Sequence, residues 1–287
     1  MAESIYAPSY IKEQLLARNL RMQKKFGQNF LISPAVCENI ASASAETCEN
    51  PAVCLEIGPG IGALTLRLSE KYDRVVCLEI DRGIFPWLSE NLAERPNVTL
   101  YNEDALESDF AARLAQQKGE KLAVCANLPY SVTSPLILKL VESKLPFESL
   151  TLMVQKEAAC RFAAQVGDES YGSLSAYLAY YGEVKRLFDV KEANFYPRPT
   201  VVSTVIRITP HKEKPVHPNN EALFFSVIRA AFSARRKTVY NCLTSALGRT
   251  KEEISEALET AGIDPSRRGE TLGLPEFCAL ADALVKE

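Results

Sequence analysis

From residue 52 onward the chain alternates short apolar runs with amphipathic stretches, the pattern of a parallel sheet wound with crossover helices. The runs AVCLEIG (52–58), RVVCLEID (74–81), VTLYNED (98–104), KLAVCAN (121–127) and SLTLMVQ (149–155) read as strands. Their interiors are nearly unbroken in apolar residues, as strands covered on both faces require. Two later runs, EVKRLFDV (183–190) and TVVSTVIRIT (200–209), have no helical pattern between them and are expected to pair antiparallel at the sheet edge. Ser33 before Pro34 offers a helix N-cap with a first-turn proline, and Thr133 or Ser134 before Pro135 repeats the device. After the polar, proline-rich stretch TPHKEKPVHPNN (209–220), every segment reads as an amphipathic helix. The expected fold is an α/β domain over 1–210, with 1–23 as an N-terminal extension, followed by a smaller all-helical domain over 219–287.

The composition of the 287 residues, 47% hydrophobic and 24% charged, is that of an ordinary globular protein. No stretch approaches the roughly 18 consecutive apolar residues that a membrane span needs. The opening MAESIYAPSY lacks the charged and apolar regions of a secretion signal, so a cytoplasmic location is expected. The eight cysteines are scattered singly, and Cys54, Cys77 and Cys125 fall inside strand-like runs, where a thiol serves as a small hydrophobe. The two histidines, His211 and His217, lie in a polar stretch, so neither a metal site nor a histidine base is expected.

A net charge of −3 argues against nucleic-acid binding by overall attraction, and the charge has to be read locally. In residues 1–30, Lys12, Arg18, Arg21, Lys24 and Lys25 oppose only Glu3 and Glu13, a net +3. Arg235, Arg236 and Lys237 form a second basic cluster, and Arg267 with Arg268 a third.

The candidate chemistry sits at the strand ends. The first strand runs through Gly58-Pro59-Gly60-Ile61-Gly62 into a helical pattern, so glycines stand where a ligand can approach the backbone. Glu79 lies 21 residues after Gly58, where doubly wound folds place a carboxylate for a ribose. Asp81 reads as the N-cap of the next helix. Asp104, ending the third strand, either faces an adenine amino group or caps the following turn. A dehydrogenase is disfavoured because GPGIG spaces its glycines as GxGxG and not GxGxxG. The fourth strand ends in Asn127-Leu128-Pro129-Tyr130. An exocyclic adenine amine is a poor nucleophile because its lone pair is delocalised into the ring. The Asn127 side-chain oxygen and the Leu128 carbonyl can each accept one of its N–H groups, Pro129 stiffens the turn, and Tyr130 can stack on the base.

These motifs occur together with KKFGQNFL (24–31), EIGPGIGALT (56–65), LEID (78–81), EDAL (103–106), MVQKEAACR (153–161), YGSLSA (171–176), FYPRPTVVSTV (195–205) and FSARRKTVYNCL (232–243). In that combination the chain resembles the ribosomal RNA adenine dimethyltransferases, of the small-subunit type. The resemblance implies a Rossmann-like class I methyltransferase domain with a mostly parallel seven-stranded sheet. It implies S-adenosylmethionine as methyl donor, no metal, and Asn29, Leu31, Gly58, Gly60, Glu79, Asp104 and Asn127 as its contacts. Asn127, Leu128, Pro129, Tyr130 and Phe195 are implied at the reaction centre, Phe195 either stacking on the adenine opposite Tyr130 or serving as a buried strand-end aromatic. Lys24, Lys25, Arg235, Arg236 and Lys237 are implied on RNA phosphates. The implied reaction is dimethylation of two adjacent adenosines in a hairpin loop near the 3′ end of 16S rRNA, within a pre-30S particle, by a monomer. The alternatives are a large-subunit methyltransferase of the macrolide-resistance type and a non-catalytic assembly or transcription factor on the same fold. Two features depart from the family: Gly83, expected early in a helix, and the long N-terminal extension.

Overall fold

The computed structural model describes residues 4–20, 28–130 and 132–285. It divides into two compact units, one over 1–159 and 185–210, the other over 160–184 and 211–287.

In the first unit the chain lays down α1 (Pro8–Ala17), β1 (Phe30–Leu31) and α2 (Pro34–Ala45), then enters the sheet with β2 (Ala52–Ile57). Crossover helices α3 (Ala63–Leu68), α4 (Phe85–Asn91), α5 (Phe110–Leu114) and α6 (Thr133–Glu142) alternate with β3 (Arg74–Leu78), β4 (Val98–Tyr101), β5 (Lys121–Asn127) and β6 (Phe147–Gln155). Next come α7 (Lys156–Phe162) and, belonging to the second unit, α8 (Ser173–Tyr181); β7 (Gly182–Val190), β8 (Phe195–Tyr196) and β9 (Ser203–Pro210) follow. The seven-stranded sheet has the order β4-β3-β2-β5-β6-β9-β7. β2 pairs parallel with β3 and β5, β3 with β4 and β5 with β6, whereas β9 runs antiparallel to β6. Every residue of β2 is buried, including the carboxyl-bearing Glu56. The chain winds outward from β2 to β4 and then returns to β5 on the other side, so the winding reverses between β2 and β5. At such a switch point the loops leaving neighbouring strands diverge and open a crevice at their carboxyl ends.

Local chemistry explains most element boundaries and corrects some expected ones. The Ser33 hydroxyl caps α2 by accepting from Val36 N, as its position before Pro34 predicted. At α6 the capping position is Val132, and Thr133 Oγ1 instead donates to Pro129 O at 3.0 Å. Asp81 lies too far from α4 to be its N-cap, and its Oδ1 accepts Gly83 N at 2.8 Å in the turn before it. Gly83 is thus a turn residue, not a helical one, and a Cβ there would come within 3.0 Å of Leu20. The N-terminal extension is built into the core: Ile5, Tyr6, Ile11 and Leu15 are buried with Trp87, Leu88 and Phe30, and the Tyr6 hydroxyl donates to Ala63 O. The two-residue strands β1 and β8 form a separate antiparallel pair, Phe30 opposite Tyr196 and Leu31 opposite Phe195, which the hydrophobic pattern had not foretold.

The second unit comprises α8 with α9 (Glu221–Ala231), α10 (Val239–Ala246), α11 (Lys251–Thr260) and α12 (Leu274–Ala283), with no strand described after β9. It takes in 160–184 as well, a stretch that the sequence reading had assigned to the first domain. Tyr180 from α8 packs with Phe224 and Phe225 of α9, so aromatic burial draws that helix into this core. Asn220 and Thr238 cap α9 and α10, and Thr250 with Glu253 forms a reciprocal capping box on α11. No helix among the described residues is long and apolar enough to cross a membrane.

Candidate active site

A cleft opens at the switch point, where doubly wound folds place their ligands. Its wall carries Asn29, Leu31, Gly58, Gly60, Glu79 and the four residues Asn127 to Tyr130, all singled out from sequence. A mainly apolar second pocket adjoins it, sharing Gly58, Ile80 and Pro129, and includes Asp104.

The glycine turn is shaped for close approach. Gly58 has φ +68° and Gly60 φ +60°, a region that only glycine enters without strain. A Cβ on Gly60 would also stand 3.0 Å from the ring of Phe30. Glu79 is only 5% exposed, and its two oxygens accept Gly60 N at 3.0 Å and Asp81 N at 2.8 Å. The carboxylate therefore stitches the turn after β2 to the end of β3. Burial pushes its pKa up to about 7, against the lowering effect of those backbone N–H groups. Asp104 Oδ1 accepts Leu106 N at 2.8 Å, so it caps its turn while also bordering the second pocket. The two readings of Asp104 are compatible.

Glu56 lines the floor of the cleft and was not singled out from sequence. It is 1% exposed, and burial raises its carboxyl to about 8. Cys77 Sγ donates to its Oε2 at 3.6 Å. Gln28 was also missed; its Nε2 donates to Asp81 Oδ2 at 2.5 Å, which ties the segment before β1 to the turn after β3. The only sequence signal for Glu56 was a carboxylate inside an otherwise apolar strand. Gln28 gave none.

The loop after β5 has an unequal distribution of hydrogen bonds. Leu128 N donates to Met153 O at 3.1 Å, which anchors the loop to β6. The Pro129 carbonyl accepts Val132 N and Thr133 Oγ1. Asn127 Nδ2 donates to Asn29 O at 3.1 Å, which fixes the amide so that Oδ1 is directed away from that contact. Among the described residues nothing donates to Asn127 Oδ1 or to the Leu128 carbonyl, and these two acceptors are thus left open. The Tyr130 hydroxyl lies 3.0 Å from Ser203 Oγ, and burial raises its pKa.

Phe195 is not brought to the cleft. It is 3% exposed, packs in the hydrophobic core opposite Leu31 and is not among the residues that line the cleft. The apolar contacts of β8 explain the placement. In the second unit Arg235, Arg236 and Lys237 are exposed in the turn between α9 and α10, off the helices themselves, and Arg235 donates to Glu169 O at 2.5 Å. Arg267 is ion-paired with Glu276, and the exposed Arg268 lies 4.0 Å from the Glu270 carboxylate. Lys24 and Lys25 lie outside the described residues.

A nucleoside fits the cleft on its own chemistry: a buried carboxylate beside a glycine turn for hydroxyl groups and an apolar pocket for a flat base. Fold and cleft together define a Rossmann-like methyltransferase domain with an appended helical unit. The sequence model of the ribosomal RNA adenine dimethylase family matches residues 19–284, and the chain belongs to that family. It is 41% identical over 290 residues to ribosomal RNA small subunit methyltransferase A of Geobacillus thermodenitrificans, covering 99% of this chain and 98% of the relative. It is 44% identical over 275 residues to the protein of the same name from Clostridium perfringens, covering 96% and 95%. Among solved structures, a dimethyladenosine transferase from Plasmodium falciparum superposes with a TM-score of 0.73 at 24% identity, over 88% of this chain and 95% of that one. The 23S rRNA methyltransferase ErmE superposes with a TM-score of 0.66 at 23% identity, over 89% and 99%. Both structural likenesses speak for the fold alone.

Proposed function

We propose that this chain transfers methyl groups from S-adenosylmethionine to N6 of two adjacent adenosines in a hairpin loop near the 3′ end of small-subunit ribosomal RNA, leaving N6,N6-dimethyladenosine. The observation that carries the reading is the pair of open acceptors, Asn127 Oδ1 and Leu128 O, at a nucleoside-shaped cleft. They match the two N–H groups of an exocyclic amine one for one. The names of the full-length relatives supply the choice of the small subunit over the large.

S-adenosylmethionine, when bound, supplies a methyl group made electrophilic by its sulfonium. Asn29, Leu31, Gly58, Gly60, Glu79, Asp104 and Asn127 hold it. Asn127 Oδ1 and Leu128 O accept the adenine N–H groups and turn the nitrogen lone pair out of conjugation, toward the methyl carbon. Pro129 keeps the Leu128 carbonyl from drifting, and Tyr130 stacks on the ring. The N6–C bond forms as the C–S bond breaks, and the proton then leaves N6 for water because an alkylated anilinium-like nitrogen is strongly acidic. Positioning and electrostatics supply the acceleration, with no general base. Phe195 supports the wall by packing on Leu31. Reaching N6 requires the base to be splayed from its stack, which is cheapest in a loop.

Lys24, Lys25, Arg235, Arg236 and Lys237 grip RNA phosphates, acting locally because screening beyond about 8–10 Å removes the influence of the remote acidic surface. The substrate is RNA within an immature small subunit, the working form is a cytoplasmic monomer, and the modification serves subunit biogenesis. The test is transfer of labelled methyl to unmethylated small subunits and, separately, to large-subunit RNA, with nucleoside analysis. Dimethyladenosine in small-subunit RNA alone is the expected result. Label only in the large subunit would transfer the assignment to the macrolide-resistance type, and no label in either would leave a binding protein.

A further inference from the structure

The four residues after β5 include one side chain whose distal end is tethered outside the loop. The Tyr130 hydroxyl sits 3.0 Å from Ser203 Oγ, and Ser203 is fully buried as the first residue of β9. That end of β9 is itself held rigidly. Ser203 is paired with Gln155 of β6, and Lys156 N donates to Val202 O at 3.0 Å. Thr204 Oγ1 donates to Asp189 Oδ1 at 2.7 Å, and Lys156 Nζ bridges to the other oxygen of that carboxylate at 2.6 Å. Ser203 is therefore a post braced from β6, β7 and α7, and the tether fixes the tilt of the Tyr130 ring.

From this geometry we infer that Ser203 is a positioning residue for Tyr130 and that it matters more for the second methyl transfer than for the first. The inference rests on the reaction proposed above. Adenine offers two N–H groups to the two open acceptors, so hydrogen bonds alone orient it. N6-methyladenine keeps one N–H, so one acceptor loses its partner and the stacked ring has to do more of the alignment. A tethered Tyr130 supplies that alignment, and an untethered ring has wider freedom about its side-chain bonds. In the second transfer the N6–C bond again forms as the sulfonium C–S bond breaks, and the remaining N6 proton goes to water.

The test compares Ser203→Ala, Ser203→Thr and Tyr130→Phe, singly and with Ser203→Ala in the Tyr130→Phe background, on unmethylated small subunits. Ser203→Ala should slow the first transfer about threefold and the second about tenfold, so that monomethyladenosine accumulates where wild type yields dimethyladenosine. Ser203→Thr, which keeps the hydroxyl, should restore the wild-type ratio. In the Tyr130→Phe background Ser203→Ala should change neither rate by more than about twofold, because the partner is already gone. An unchanged product ratio in Ser203→Ala, or effects that multiply in the double variant, would overturn the inference. The tether is checked without turnover by the ring-carbon NMR signal of labelled tyrosine, with Tyr130 assigned by its loss in Tyr130→Phe. That signal should move in Ser203→Ala and stay in Ser203→Thr. A signal that stays in both sinks the tether whatever the methylation result. A signal that moves in an enzyme that methylates no adenosine sinks the proposed reaction and leaves the tether standing.

Discussion

The two units of the chain use charge in opposite ways. In the first, Glu56 and Glu79 are 1% and 5% exposed, and burial raises both carboxyls, to about 8 and about 7. In the second, Arg235, Arg236 and Lys237 stand exposed in a turn. Groups withdrawn from water are costly and can act only on what enters the cleft, with a geometry set in advance. Groups left in water cost the fold nothing and act on any phosphate that comes near, with strength set by the ionic atmosphere. On the function proposed above, discrimination belongs to the first arrangement and grip to the second.

The sharpest way to break this comparison is to remove an open acceptor from the cleft. Asn127→Ala should lower methyl transfer by roughly 100- to 1000-fold, in the range of losing one preorganised hydrogen-bonding group, while RNA binding by filter retention stays within twofold. Retention of full activity would end the role given to Asn127.

The buried carboxyls make a second, smaller prediction. Their folded pKa values lie above the ordinary value near 4.5, so between pH 5 and the folded pKa the unfolded chain releases protons that the folded chain keeps. Stability from these groups is thus fully present below about pH 4.5 and is lost as pH rises toward 7 and 8, by at most about 1.4 kcal/mol per pH unit for each. Glu56→Gln, which carries no proton to lose, should flatten the pH 5–8 dependence of urea midpoints and gain stability relative to wild type at pH 8. An unaltered slope would mean that Glu56 is charged in the folded protein.

The smallest effect is expected at the basic turn. Arg236→Ala should weaken RNA binding only a few-fold, reduce the slope of log affinity against log salt by about one, and leave S-adenosylmethionine affinity unchanged by calorimetry. A salt slope equal to wild type would remove Arg236 from the phosphate contacts.

Much of this was legible along the chain. The inner parallel strands announced themselves because burial on both faces demands unbroken apolar runs, whereas the edge strand β4 has no buried residue; Gly58, Glu79 and Asn127 sit at strand ends. Other features left too little trace. The pair β1 and β8 is two residues per strand, far too short for a periodic signal. Gly83 was read as helical because nothing nearby marks the turn that Asp81 organises. The N-terminal segment reads as an extension, yet Ile11 is fully buried in the core that also holds Trp87, a residue far along the chain. Phe195 was placed beside the adenine or in the core on equal terms, because an aromatic at a strand end suits either.

The sequence by itself determined the α/β class, the order of strands along the chain and the chemistry available at their ends, because periodicity, turn residues and short motifs are local and need no partner to be read. Only the tertiary structure decided which acceptors stay open, which carboxyls are forced up in pKa, that Ser203 reaches Tyr130 and that Phe195 turns into the core. Those properties depend on who is buried against whom across long separations in the chain, and that is set by the packing of the whole unit.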